Sequence, residues 1–123
     1  MPDFTELKRI ARQETGAVIE GLPAALREAA LKVPLVLERV PTDNQIADGL
    51  EPDLLGLFVG PEYSDQEAHG SLPPQILLFL ENLWDFAEEA EDTFREEVRT
   101  TYLHELGHYL GLDEDDLDER GLA

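Results

Sequence analysis

Apolar positions follow two different rhythms along this chain. Near the start, Phe4, Leu7, Ile10 and Ala11 recur at the three- and four-residue steps of a single helix face. Pro2 and Asp3 suit a helix start, so the spacing predicts an amphipathic helix from about Asp3 to about Glu20. Gly21-Leu22-Pro23 breaks it, and Ala25, Leu26, Ala29 and Ala30 predict a second, short helix over Ala24 to Leu31. The rhythm then changes. Val33 to Val40 (VPLVLERV), Leu54 to Gly60 (LLGLFVG) and Gln75 to Leu80 (QILLFL) are short apolar runs punctuated by Gly and Pro, which predicts strands buried on at least one face. Pro41 to Pro52 reads as a polar turn.

The segment joining the second and third strands, PEYSDQEAHGSLPP, is longer than most connections in a small domain and is a candidate lid. Trp84 and Phe86, ahead of the acidic run EEAED, read as a structural anchor. Asp92 is the expected N-cap of a last long helix reaching about Leu110, with acidic residues gathered near its positive end. The face carrying Val98, Tyr102, Leu106, Tyr109 and Leu110 is expected to dock on the sheet.

Length and charge narrow the picture. A chain of 123 residues forms one domain, residues 1–123, with one core and no second lobe, so any site lies on the surface of that core. Its formal net charge is -19, a potential that repels phosphate backbones and anionic lipid and favours metal ions or cationic partners. Nucleic-acid binding and membrane association are therefore not expected. The absence of cysteine removes disulfides and sulfur-ligated metals, leaving histidine and carboxylate as the available donors. Neither a signal peptide nor an apolar span is evident, and a soluble cytoplasmic protein, monomeric or weakly dimeric, is expected.

One stretch carries chemistry. In HELGHYLGLDEDD, His104 to Asp116, two histidines four residues apart lie a helical turn from one another on one face. That spacing lets two imidazoles converge on one ion about 2 Å from each nitrogen. Glu105, rotated by about 100°, lies beside the ion, where it can hold a water. Gly111 follows three residues after His108 and is free to take the positive φ that turns a chain sharply at a helix end. Six carboxylates then follow: Asp113, Glu114, Asp115, Asp116, Asp118 and Glu119, individually more often solvated surface than ligand. A calcium loop starting at Asp113 fails, because Asp118 falls where the sharp turn needs glycine.

H-E-L-G-H-Y-L-G-L-D-E resembles the H-E-x-x-H-x-x-G-x-x-(H/D/E) signature of zincin metallopeptidases. More narrowly, the chain resembles the short bacterial zincin-like metallopeptidases sometimes called minimal zincins. GLPAAL, the strand ending in ERVP, LLGLFVG, LPPQILLF and EEVRTTYLHELGHYLGLDEDDL carry that likeness in order. The resemblance implies an α+β, minimal zincin-like fold: a small three- or four-stranded sheet packed by an N-terminal helix and a C-terminal active-site helix. It also implies Zn2+ as cofactor, His104 and His108 as metal ligands, Glu105 as the catalytic glutamate, Gly111 as the turn glycine and Glu114 as third metal ligand. Asp113 is the alternative third ligand, since a slip of one residue after a glycine turn is easily absorbed. Where larger proteases with this pattern carry histidine at the third position and a methionine turn beneath the metal, this chain has an acid, and its single methionine is Met1.

Two functions of different class follow. One is zinc-dependent peptide-bond hydrolysis acting on cationic or unstructured peptides or proteins, with the substrate extended along a strand edge. The other is a catalytically weak or inactive zincin scaffold that holds a basic partner on its acidic surface, with binding that falls steeply with salt. His69, in the long loop, is expected to be solvated, and Tyr102 and Tyr109 are expected to be core-facing aromatics with exposed hydroxyls.

Overall fold

Asp3 starts the first helix, its carboxylate accepting the Glu6 amide at 2.9 Å, and α1 runs over Phe4–Glu20 as the spacing predicts. Leu7, Ile10 and Ala11 are buried on its inner face, and the Thr15 hydroxyl, also buried, donates to the Ala11 carbonyl at 2.9 Å. Phe4 packs at the edge of the core with the cationic groups of Lys8 and Arg39 over its ring, at 4.9 and 4.6 Å from the centroid. The computed structural model describes residues 2–60, 73–112 and 115–116. The candidate lid and His69 therefore lie largely or wholly outside the described residues.

After α2 (Ala24–Ala30) the chain enters the sheet, and each strand is shorter than its apolar run. β1 covers Leu35–Glu38, β2 Gly56–Val59 and β3 Gln75–Phe79. The trimming has local causes. Val33 is tied back to the Ala30 carbonyl in the turn that ends α2, and Pro34 has no N–H to give a ladder, although its carbonyl accepts from Ile76 at 2.9 Å. The order is β1-β3-β2, with β1 parallel to β3 (Leu35 opposite Ile76) and β2 antiparallel to it (Gly56 opposite Leu78). β3 is thus central, and Ile76 to Phe79 are buried on both its faces.

Two helices occupy segments read otherwise from the sequence. Within the polar turn, α3 (Asp43–Ala47) is held by a reciprocal cap: the Gln45 amide donates to the Thr42 hydroxyl and the Thr42 amide to the Gln45 side chain. Asn82 then pins the following loop through the Pro52 and Leu54 carbonyls, at 2.8 and 2.9 Å. The third strand ends at Phe79, one residue short of its predicted end, because Leu80 opens α4 (Leu80–Phe86) directly. Of the expected anchor, Trp84 is buried edge-on to Phe94, with centroids 5.6 Å apart, whereas Phe86 is 59% exposed. Phe86 falls on the outer face of that short helix, outside the core of the described residues.

The last helix, α5 (Glu91–Leu110), begins earlier than Asp92, with extended Ala90 as its N-cap. Asp92 lies in the first turn beside Glu91, where both carboxylates favour the positive helix end without capping it. The buried face is also broader than expected. Phe94, Val98, Tyr102 and Leu106 are joined by Thr101, Glu105 and Tyr109, because α5 packs on α1 and α4 as well as on β2 and β3. Arg95 donates to Gln13 and Glu14 of α1 at 3.2 and 3.0 Å, and Arg99 donates to the same Glu14 carboxylate. No helix among the described residues is long and apolar enough to cross a membrane.

One close approach fixes where α5 sits. A Cβ placed on Gly56 would lie 2.7 Å from Thr101 Cγ2 and 3.2 Å from the Leu77 carbonyl oxygen, so the helix rests directly on the bare backbone of β2. Gly56→Ala is expected to destabilise the fold by about 1–3 kcal/mol through overpacking. Thr101→Ser, which deletes the opposing methyl, should recover part of that loss in the double variant. Urea midpoints of the four proteins measure this, and an unchanged midpoint for Gly56→Ala would mean that α5 can back away from the strand.

Candidate metal centre

Helix α5 sets the site by its own pitch. His104 and His108 lie one turn apart, the first half-buried and the second exposed, with ring centroids 4.6 Å apart and planes at 63°. Two imidazoles bound to one ion at tetrahedral angles would have centroids about 5 Å apart. The pair therefore already stands close to a chelating arrangement. Donor atoms of His104, Glu105 and His108 all lie within 4.8 Å of one another.

Glu105 is deeper than its neighbours. At 7% exposure it belongs to the row Thr101–Glu105–Tyr109, spaced at four residues and turned towards β2. Thr101 meets Gly56 at one end of this row, and at the other the Tyr109 ring tilts on Phe58 with centroids 5.6 Å apart. The carboxylate between them is carried into the protein by these contacts, and its Oε1 stands 3.3 Å from His108 Nδ1. Sequence reasoning missed Gly56, Thr101 and Phe58 as supports of the site. The glycine inside an apolar strand was the available signal, since it marks a place where another chain segment comes close.

The helix stops as Gly111 foretells. Its backbone is left-handed at φ 72° and ψ 25°, and the Leu112 amide reaches back to the Gly107 carbonyl at 2.8 Å. Asp113 and Glu114, the expected third-ligand positions, lie outside the described residues. Beyond them, Asp115 and Asp116 have helical backbone. Tyr102 and Tyr109 depart from expectation: both are buried to the tip, because α5 is covered on several sides. Burial pushes the Tyr102 hydroxyl up to about 12, so it stays protonated throughout the physiological range.

Residues 30–122 match the model of the family described as zincin-like metallopeptidase, a span that includes the sheet, α4 and the whole of α5. The chain belongs to that family. No curated protein compared with it gave a match. As in the expectation from the motif, a zincin-like metallopeptidase is built around a divalent metal, typically zinc. The donor set here fits one: two imidazoles within chelating distance, with an acidic group beside them. Helix α1 precedes the matched region, yet its Leu7, Ile10 and Ala11 belong to the same core as Val98 and Leu106 of this zincin-like domain.

Proposed function

We propose that this protein is a zinc-dependent peptidase in which His104 and His108 hold the ion, Glu114 or its neighbour Asp113 completes the ligands, and Glu105 is the general base. The burial of Glu105 carries the reading. A carboxylate held out of water costs free energy unless it is paired or used, and this one stands 3.3 Å from the exposed His108 imidazole and in one cluster with His104 instead of turning to solvent. Zinc, when bound, supplies Lewis acidity that polarises a carbonyl and makes a water easier to deprotonate. Glu105 takes the proton of the attacking water and hands it to the amide nitrogen as the C–N bond breaks, leaving a carboxylate and an amine.

The substrate of this reading is an extended peptide lying along a strand edge. Among the described residues β2 is an edge of the three-stranded order and lies beside α5, and an extended peptide added there would take backbone hydrogen bonds from it. With a net charge of -19 the protein attracts cationic segments, and turnover on them should fall as salt rises. The test is metal analysis of the purified protein, followed by digestion of a peptide library with zinc and with a chelator. Cleavage that requires zinc and favours Lys- and Arg-rich peptides supports the proposal. Tight salt-sensitive binding of such peptides with no cleavage under any metal would favour the inactive-scaffold reading instead. Single substitution of His104 or His108 by alanine should remove stoichiometric zinc, measured by equilibrium dialysis, while circular dichroism stays helical.

A further inference from the structure

The row that turns towards β2 extends one helical turn further back than Thr101. Glu97 stands four residues before it, so Glu97, Thr101, Glu105 and Tyr109 lie along one stripe of α5. Thr101 meets Gly56 and Tyr109 meets Phe58, so α5 and β2 run in the same direction and Glu97 falls at the end where β2 begins. By helical pitch Glu97 also leaves the axis within about 20° of both His104 and His108, and about 10 Å before the first of them. The charges around it are otherwise accounted for. Glu91 pairs with Arg95, and Asp92 and Glu96 are exposed, whereas Glu97 is half-buried. Arg95 and Arg99 both donate to Glu14 of α1, and the positions three and four away from Glu97 on either side, Thr93, Phe94, Thr100 and Thr101, carry no cation. Among the described residues the Glu97 carboxylate has no hydrogen bond or ion pair. Partial burial without a partner weakens the hydration of a carboxylate and leaves its charge free to attract a cation.

We propose that Glu97 is a specificity-determining residue of the cleavage site, its carboxylate accepting hydrogen bonds from a lysine or arginine at the second or third position after the cleaved bond. The inference rests on the zinc peptidase reading and deepens it. The net charge draws cationic segments to the protein as a whole, whereas Glu97 selects the position at which the cation sits. Direction and pitch give that position. A peptide added to the β2 edge in the commoner antiparallel sense runs from the Phe58 end towards Gly56. With the carbonyl under attack beside the histidine pair, the residues after it approach Glu97. Extended chain advances about 3.4 Å per residue, so about three residues span the separation, and a long basic side chain leaning along the strand covers one of them.

The experiment measures kcat/KM for otherwise neutral peptides in which a single arginine is moved through the positions on either side of one cleaved bond, with glutamine there as the reference. Wild type should prefer arginine at the second or third position after the bond by about 3–10-fold, as for a charged pair partly shielded from water. Glu97→Gln should lose that ratio, and Glu97→Lys should reverse it in favour of glutamate. Glu96→Gln, which changes the net charge equally at an exposed neighbour, should keep it. A ratio that survives in Glu97→Gln, falls equally in Glu96→Gln, or peaks before the cleaved bond overturns the proposal. Were Glu97→Gln unfolded by circular dichroism, the wild-type ratios and Glu97→Lys decide. Binding of phosphinic peptides, which carry a zinc-ligating group in place of the cleaved amide, repeats the comparison without turnover. Absence of hydrolysis by wild type sinks the peptidase reading. Glu97 is then judged by these dissociation constants, and equal affinity with arginine or glutamine at those positions overturns its role.

Discussion

Replacing Glu105 by glutamine is expected to lower kcat for peptide hydrolysis by about 10²–10⁴-fold with zinc still bound. The substitution is nearly isosteric, so the row Thr101–Glu105–Tyr109 keeps its contacts with Gly56 and Phe58 and α5 keeps its seat on β2. What disappears is the basic oxygen, because an amide at that position does not accept the water proton at neutral pH. The loss should fall mainly on kcat, since glutamine leaves the strand edge and the acidic surface untouched. Equal turnover by wild type and variant, at equal zinc content, would remove Glu105 from the reaction and return the buried carboxylate to a structural role.

How far this could be read from the chain depends on the range of each contact. The site helix is legible because its information is local: a four-residue step places His104 over His108, and Gly111 marks the stop. The depth of Glu105 is not local. It comes from Gly56 and Phe58 on β2, and a spacing rule on α5 says only that Glu105 lies beside the histidines. The likeness to minimal zincins supplied the fold class, which the three-stranded mixed sheet bears out. Periodicity alone left helix α4 hidden, because Ile76 to Leu80 is an unbroken apolar run in which no change of rhythm marks the passage from strand to helix. Helix α3 escaped for the opposite reason: it buries no residue, so it has no apolar stripe, and its evidence was the Thr42–Gln45 cap, a signal readable in sequence.

The boundaries of α5 teach a related point. Asp92 is the best capping residue in its neighbourhood, yet the helix starts before it. Glu88 and Glu89 both take left-handed backbone, at φ 56° and 61°, turning the chain so that Ala90 is extended and its carbonyl receives the Phe94 amide at 2.8 Å. That turn follows from how α4 and α5 meet around Trp84 and Phe94. Tertiary packing outweighs the roughly 1 kcal/mol that a side-chain cap contributes.

The same Phe94 gives the largest expected effect on stability, and a way to ask whether folding and metal binding are linked. It is fully buried, packs edge-on against Trp84, and lies several turns before His104. Phe94→Ala removes that aromatic contact and leaves a cavity between α4 and α5, for an expected loss of about 3–5 kcal/mol. In a domain of this size the midpoint of thermal unfolding should drop by roughly 10–20 °C. Because the folded state alone brings His104 and His108 together, zinc at about a hundred times its dissociation constant should restore about 2.7 kcal/mol, so that metal raises the variant's midpoint most of the way back. Parallel calorimetry of wild type and Phe94→Ala, each with zinc and with chelator, checks both terms: the two proteins should gain similar free energy from the ion. Were zinc to stabilise wild type and leave the variant unmoved, the cavity must have reached the metal centre, and α5 could no longer be treated as one rigid rod from Phe94 to His108.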